Sequence, residues 1–216
     1  MDMSSASLSR LLRMLLDEGW VRNDGDGSYV AGAKLLQLGR HLNGHWSEHE
    51  LVEPIVQRVA LRTGHSSCFA RFANDCFVLT AKTEMPSSYH FIDLFWDNRD
   101  LITNGMGMAL LAYQEQEVAA FFIEEKAGAE RVADLLDLLA DIRRDGHYVS
   151  RENHVLRIMA PVRAGLGNRV KGLIAIAAID PDNVVIDDCI AIVKAAAREA
   201  EQRLSSAERG PLAATA

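Results

Sequence analysis

Hydrophobic residues recur at helical spacing near the start of the chain. Four leucines fall at i, i+3, i+4 and i+7, so they share one face of an amphipathic helix. They are Leu8, Leu11, Leu12 and Leu15. Serines precede this stripe and offer N-cap side chains, and Gly19 follows it, where a left-handed residue can end a helix. The pattern predicts a helix that ends near Gly19.

A short hairpin is predicted directly after this helix. Two β-prone runs, residues 20–22 and 28–30, flank a turn-rich loop with the sequence NDGDG. Polar side chains off the leucine face would meet base edges and phosphates if the helix entered DNA. The spacing alone is equally compatible with an ordinary amphipathic helix and hairpin with a solvated polar face. The candidate DNA contacts are Ser4, Ser5, Ser7, Ser9, Arg10, Arg13, Arg22 and Tyr29.

The remaining pattern alternates helices with pairs of strands. Helices are predicted at 33–43, 48–63, 105–113, 116–124, 129–145 and 187–204. Strands are predicted at 67–73 and 77–83, joined by Asn74-Asp75, and at 147–150, 158–164 and 170–178, with a turn at 165–168. Residues 86–100 are irregular and aromatic, and the tail from Ser205 is expected to be disordered. Helices that bracket antiparallel hairpins predict an α+β fold.

Five segments, in order, resemble motifs of the IclR family of bacterial transcriptional regulators. They are RLLRMLLDEGWVRNDGDGSYVAGAKLLQLG (10–39), LITNGMGMALLA (101–112), IRRDGHY (142–148), IMAPV (158–162) and VKGLIAI (170–176). The resemblance implies a partial winged helix-turn-helix at 1–32, a linker helix at 33–47, a GAF-like effector-binding and oligomerisation domain at 48–205, and a tail at 206–216. It also implies a ligand-responsive, DNA-binding regulator that works as a homodimer or homotetramer.

Composition and charge limit the function classes. Of 216 residues, 49% are hydrophobic and 25% charged, and no apolar run approaches the roughly 20 residues that span a bilayer. The cysteines form no CxxC pair, which favours buried thiols in a reducing cytoplasm. The net charge of −7 argues against a general nucleic-acid binder. Affinity for a DNA operator must then depend on two or more reading modules presented together.

No enzymatic motif is recognisable, and we predict neither a catalytic centre nor a cofactor. The one metal-like pattern is His41, His45 and His49, which would share a face of an unbroken helix. Asn43-Gly44 suggests that the helix breaks there, so a solvated linker face is the favoured interpretation and no metal site is predicted.

A candidate effector pocket combines an aromatic segment with a helix start. Tyr89, His90 and Phe91 lie in the irregular segment, where a loop positioned by a sheet commonly carries binding residues, although such aromatics can also fill a core or an oligomer interface. Asn104 precedes a helix whose free N–H groups favour an anion. The resemblance to the IclR family adds Gly105 and Met106 as residues that line the effector cavity.

Departures from the family pattern suggest the effector's chemistry. Ser150 stands where the family has an acidic residue, Arg157 precedes the IMAPV segment, and Ala177 replaces a serine. A pocket that loses hydroxyls and gains a guanidinium favours an aromatic or hydrophobic carboxylic acid, since Arg binds carboxylates bidentately. The competing interpretation pairs Arg157 with Glu152 or Asp180 in an ordinary salt bridge.

The leucine stripe raises a question of completeness. A three-helix winged module buries its recognition helix against two earlier helices, and four exposed leucines would each cost about 1.5–3 kcal/mol. We expect either that an upstream portion is absent from this sequence or that the helix packs elsewhere, for example across a dimer interface. The alternative function is a sensor-only protein that binds a small molecule or a partner and no longer binds DNA well.

Overall fold

Two units make up the chain, Met1–Ser47 and Glu48–Ala216. The computed structural model describes residues 5–25, 27–35, 37, 43–73, 76–86, 88–91, 93–94, 98–165, 169–179 and 184–209. The predicted turns at Asn74-Asp75 and 166–168, and most of the linker between 36 and 42, lie outside these residues.

The first unit contains the predicted helix and hairpin. Helix α1 spans Ser5–Asp17, and strands β1 (Val21–Asn23) and β2 (Tyr29–Ala31) pair antiparallel. Gly19 has a φ of +74°, and the amides of Gly19 and Trp20 donate to Leu16 and Leu15, a Schellman ending that satisfies the last helix carbonyls. The sequence predictions of this helix, its left-handed ending and the hairpin are confirmed.

The apolar stripe of α1 is only partly covered by the described residues, since Leu12 and Leu15 are half-buried and Leu8 and Leu11 are exposed. No α1 residue is buried, and Leu8, Leu11 and Met14 are 48%, 40% and 56% exposed. The stripe is thus an apolar surface of this unit, and soluble proteins rarely leave such a surface without a partner.

Helix α2 spans Asn43–Thr63, and its residues from Glu48 onwards belong to the second unit. The predicted break at Asn43-Gly44 is wrong, because helical structure includes both residues and starts five positions before the predicted Glu48. Local turn propensity is weak compared with the packing of a long helix, whose Val52, Ile55, Val56 and Val59 are buried.

Five antiparallel strands form the sheet of the second unit, in the order β4-β3-β7-β6-β5. The strands are β3 (Ser66–Ala73), β4 (Cys76–Thr83), β5 (Tyr148–Glu152), β6 (Val155–Ala164) and β7 (Arg169–Ile179). The helices that follow β4 are α3 (Gly105–Leu111), α4 (Gln116–Ala127) and α5 (Val132–Asp145), and α6 (Ile186–Arg209) follows β7. The predicted α+β class with an antiparallel sheet is confirmed.

Alternation along each strand gives the sheet two apolar faces. Ile158 and Ile176 belong to a core with α2 and α6, whereas Met159 and Ala175 belong to a core with α3, α4 and α5. Because neighbouring residues of a strand point to opposite faces, both sides of the sheet are covered by helices. The candidate effector residues lie on the α3 side.

Helix α6 extends farther than expected. It continues to Arg209, five residues past the predicted end at Leu204, so the prediction of disorder from Ser205 is wrong for residues 205–209. Leu204 is buried, and the Ser206 hydroxyl donates to the Gln202 carbonyl one turn earlier. Across the described ranges, no helix has both the length and the apolar character needed to cross a bilayer.

Candidate effector site and DNA interface

Arg157 lies in β6 opposite Ser150 of β5. The two strands are joined by Asn153 and His154, whose φ values of +51° and +62° are those of a tight two-residue hairpin turn. This turn fixes the register, so Glu152 and Ser150 lie on the same face of β5, beside Arg157. Arg157 is only 6% exposed, although it carries a charge.

Three groups surround the Arg157 guanidinium. Its Nη1 lies 3.6 Å from Glu152 Oε2, and its Nη2 donates to the Tyr89 hydroxyl at 3.3 Å. The guanidinium carbon lies 5.1 Å from the centroid of the Tyr89 ring, a cation–π arrangement. Its Nε has no hydrogen-bond partner among the described residues. A buried guanidinium with an unused donor can donate to an additional carboxylate oxygen.

The start of α3 adjoins this charge pair. Asn104 caps the helix, because its side chain accepts the Met106 amide at 2.9 Å. The Gly105 amide donates to Glu152 Oε2 at 3.2 Å. A Cβ on Gly105 would stand 2.0 Å from Ser150 Oγ, so only glycine permits this approach of helix and strand.

Two sulfur atoms extend the site towards the sheet. The Cys68 thiol lies 3.8 Å from the Met106 sulfur, and both side chains are buried. Burial raises the pKa of the Cys68 thiol far above its ordinary value, although Arg157 opposes the shift. The thiol therefore stays protonated and contributes a soft apolar wall. All three cysteines are buried, as predicted.

The aromatic segment is divided between the site and the core. Tyr89 covers Arg157, and Phe91 is buried against it in an edge-to-face contact with ring centroids 5.3 Å apart. His90 points outwards, with a side chain that is 74% exposed and pairs with Glu84. Phe95 and Trp96 lie outside the described residues.

Glu84 holds this segment through several hydrogen bonds. It accepts the Phe91 amide at 2.8 Å and pairs with Lys82 and His90. Burial alone would raise the pKa of Glu84, but the hydrogen bonds from His90, Lys82 and Phe91 outweigh it and lower the pKa below 4.5.

Most of the predicted effector residues are brought together. Ala177 is the β7 neighbour of Arg157, and its carbonyl accepts the Ser88 hydroxyl at 3.3 Å. The residues grouped around Arg157 are Tyr89, Asn104, Gly105, Met106, Ser150 and Ala177. His90 is not part of the group, and Phe91 supports it from the core.

Sequence reasoning undervalued Glu152, which it named only as a salt-bridge partner of Arg157. That ion pair is present, whereas Asp180, the other partner considered, lies outside the described residues. Glu152 also bonds the start of α3, which could have been inferred only from the β5–β6 register. Nothing in the sequence around Cys68, apart from its apolar neighbours, predicted that it would lie beside the candidate effector site.

The polar face of α1 is open to solvent. Ser5, Ser7, Ser9, Arg10 and Arg13 are all exposed. Arg22 is exposed but pairs with Asp24 at 2.7 Å, and Tyr29 is 46% exposed on the hairpin. Ser4 lies outside the described residues.

A basic residue at the base of the hairpin is already engaged. Lys34 forms an ion pair with Glu18 and lies 5.2 Å from the centroid of the Trp20 ring. Gly32 allows the end of the hairpin to lie against the end of α1, since a Cβ on it would stand 2.1 Å from the Gly19 carbonyl oxygen. Helix and hairpin are therefore held as one piece.

His49, the last member of the histidine pattern, has a structural role. Its Nδ1 lies 2.7 Å from the Thr80 carbonyl oxygen, and its Nε2 lies 3.5 Å from Glu53. His41 lies outside the described residues, as does the side chain of His45.

Comparison with solved structures identifies regulators with the same fold. An IclR homologue from Microbacterium hydrocarbonoxydans, complexed with 4-hydroxybenzoate, superimposes with a TM-score of 0.80 at 17% identity, covering 94% of this chain and 87% of its own. The Thermotoga maritima IclR matches with a TM-score of 0.69 at 18% identity and the same coverages. An IclR homologue from Microbacterium sp. strain HM58-2 matches with a TM-score of 0.63 at 18% identity, over 94% of this chain and 85% of its own.

The chain has the fold of IclR-type regulators. No family model and no curated protein sequence matches it. The resemblance stated from the sequence motifs is therefore confirmed by structural neighbours that cover most of the chain. At these identities the likeness establishes the fold, and function has to be argued from the sites.

Proposed function

We propose that this chain is a ligand-responsive, DNA-binding transcriptional regulator of the IclR type, whose sensor binds an aromatic or hydrophobic carboxylic acid at Arg157. The observation that carries the proposal is the buried guanidinium of Arg157, held between the Tyr89 ring and a carboxylate. A buried charge of this kind is costly unless it is paired, so it is a suitable anchor for an anionic ligand.

Glu152 acts as the internal substitute for the ligand's carboxylate. Its Oε2 pairs with Arg157 and accepts the Gly105 amide, a pattern that an incoming carboxylate could reproduce. The effector would displace Glu152 towards solvent, where its side chain is already 31% exposed. Its ring would then lie among Tyr89, Met106 and Cys68, which provide an aromatic and soft apolar surface.

The binding of 4-hydroxybenzoate by the Microbacterium hydrocarbonoxydans homologue supports this class of ligand. That molecule combines one carboxylate with one aromatic ring, which is the combination that the surroundings of Arg157 favour. In this chain the site is closed, because Arg157 is 6% exposed and Ser150 is 4% exposed. Ligand binding would therefore select a second arrangement in which Glu152 and Tyr89 have moved.

DNA reading is assigned to the polar face of α1 and to the hairpin. Arg10 and Arg13 are exposed and form no ion pair with any described residue, so they are available for phosphates or base edges. The overall charge of −7 limits the affinity of one module. We therefore propose a cytoplasmic homodimer or homotetramer that presents paired DNA-reading modules. The effector would alter the fraction of protein molecules whose two modules can bind the two halves of an operator at once.

A selection experiment tests the proposal. The protein would select duplexes from a random 30-base-pair library, and a mobility-shift assay at two salt concentrations would measure binding with and without 4-hydroxybenzoate. The proposal expects an enriched sequence, a salt-sensitive shift and an affinity that changes by at least about fivefold with ligand. Recovery of no enriched sequence would reject the DNA-binding part.

The second candidate is a sensor-only protein that binds a small molecule or a partner. It is favoured by the exposed Leu8, Leu11 and Met14 of α1, an apolar surface that the other described residues leave open. In the same selection experiment this protein would bind the aromatic acid with no sequence-specific DNA binding.

A further inference from the structure

A second polar site lies at the other end of β6. A groove of about 390 Å³ opens between the end of α3, the end of α5 and the adjoining ends of β6 and β7. Its lining includes Tyr113, Gln114, Arg143, Arg163 and Arg169. Arg163 is six residues along β6 from Arg157, a separation of about 20 Å, so this groove is distinct from the candidate effector site.

Three arginines from three elements line the groove. Arg143 belongs to α5, Arg163 to β6 and Arg169 to β7. Glu115 is the one carboxylate in the described lining, and it forms no salt bridge with any of them. This concentration of positive charge occurs in a protein whose net charge is −7.

The neighbouring Arg144 is paired with carboxylates on its own helix. It donates to Asp141 at 2.6 Å and to Asp145 at 3.2 Å, and these bonds raise the pKa of Arg144. Arg143, one position earlier on the same helix, has no such partner among the described residues. The two arginines differ in their partners because Arg143 lines the groove.

Tyr113 fixes the geometry of the groove. Its hydroxyl donates to the Ile142 carbonyl at 3.3 Å, and the Arg163 guanidinium lies 5.3 Å from its ring centroid. The Arg163 amide donates to Glu201 at 2.9 Å, which holds this part of β6. Burial raises the pKa of Tyr113, while Arg163 and Arg143 both oppose the shift, so both positive charges act on the same phenol.

We propose that this groove is a second ligand site, which binds a small phosphate monoester. The guanidinium groups of Arg143 and Arg163, which both act on the Tyr113 phenol, match a tetrahedral phosphate, because its three terminal oxygens can accept from more than one fork at once. The Gln114 side chain, half-buried at the edge, bonds the Leu110 carbonyl through its amide nitrogen and leaves its amide oxygen available for a ligand donor. A single carboxylate would satisfy fewer of these donors.

Equilibrium binding with inorganic phosphate, phenyl phosphate and malonate tests the site. Titrations at constant ionic strength in chloride should give saturable binding of both phosphates at one site per chain, with malonate weaker. Arg163→Gln and Arg143→Gln should each weaken phosphate binding by at least about tenfold. Arg144→Gln, on the same helix but already paired with aspartates, should leave binding unchanged.

The outcomes separate this site from the effector site. Arg157→Gln should leave phosphate binding unchanged, and Arg163→Gln should leave 4-hydroxybenzoate binding unchanged. Circular dichroism of each variant verifies folding, and Arg169→Gln, at an exposed position of the lining, provides a second test in which phosphate binding should also weaken. Equal loss in Arg144→Gln, preference for malonate, or no saturable phosphate binding by the wild-type chain would each overturn the proposal.

Discussion

The carboxylate of Glu152 lies 3.6 Å from the guanidinium of Arg157, across the β5–β6 hairpin. The same carboxylate oxygen accepts the first amide of α3. The candidate effector site therefore contains its own carboxylate, which pairs with Arg157 in the absence of ligand. This relationship leads to the first prediction.

Replacing Glu152 by Gln should raise the affinity for 4-hydroxybenzoate and lower the stability of the unliganded protein. The Arg157 guanidinium loses its charged partner, which should reduce the free energy of unfolding by about 1–3 kcal/mol. Added ligand should restore this loss. Calorimetric titration gives the affinity, and urea unfolding with and without ligand gives the stability.

The exposed Glu50 of α2 provides a matched control. Glu50→Gln should change neither ligand affinity nor stability. Weaker ligand binding by Glu152→Gln would mean that Glu152 contacts the ligand directly and does not compete with it.

Gly105→Ala should destabilise the protein through one contact with Ser150. The new Cβ would meet Ser150 Oγ at 2.0 Å and Cβ at 2.7 Å, so helix and strand must separate at a cost of about 1–3 kcal/mol. Adding Ser150→Gly should recover part of that loss, because it removes both atoms. Chemical denaturation of the single and double variants measures the coupling.

Gly107 supplies the control for this pair. A Cβ there would meet backbone atoms of Leu101 and Asp100, the nearest at 2.4 Å, which no side-chain substitution can remove. Ser150→Gly should therefore fail to rescue Gly107→Ala. Rescue of both variants would point to a general loosening of the helix.

Arg10→Ala and Arg13→Ala should weaken DNA binding through loss of phosphate or base contacts. Where the side chain contacts a phosphate, the slope of log affinity against log salt should fall by about 1 for each variant. A base contact would instead relax sequence preference at one position. Fluorescence anisotropy over a range of salt concentrations distinguishes the two.

Arg151→Ala, an exposed arginine of the second unit, is the charge-matched control and should not alter the slope. If all three variants behaved alike, the effect would be one of net charge, and α1 would not be the reading element.

Acid should destabilise the aromatic segment through Glu84. Its pKa is below 4.5 in the folded protein, so its contribution to stability is fully present above pH 4.5 and is lost as the pH falls through the folded value. Glu84→Gln should therefore lower stability near pH 6 and flatten its decline towards acid pH. Denaturation at pH 6 and pH 4 measures this.

The exposed Glu117 of α4 serves for comparison, and Glu117→Gln should retain the wild-type acid dependence. If the stability of Glu84→Gln fell towards acid pH as steeply as that of the wild-type chain, other carboxylates would govern the acid dependence.

Elements with strong periodicity were predictable from the sequence. The leucine spacing of α1 and the Gly19 ending gave the helix and its boundary, because both follow from local geometry. The strands β3 and β4 were placed within one residue of their observed bounds, since β-prone runs there are bounded by polar residues. Fold class followed from the order of these elements.

Boundaries set by tertiary contacts were not predictable. Strand β6 begins at Val155, three residues before the predicted Ile158, because the tight turn at Asn153 and His154 brings the chain straight back into the sheet. Neither residue is the glycine that usually marks such a turn. The pairing of Glu152 with Arg157 depends on this register. The sequence alone therefore could not decide between Glu152 and Asp180 as the salt-bridge partner of Arg157.

The most direct test of the account is the effect of 4-hydroxybenzoate on DNA affinity in the wild-type chain and in Arg157→Gln. Fluorescence anisotropy with a selected duplex would measure both proteins with and without ligand. The account predicts a change of at least about fivefold in the wild-type chain, and its loss in Arg157→Gln with ligand-free DNA affinity retained. An equal ligand effect in both proteins, or none in the wild-type chain, would contradict it.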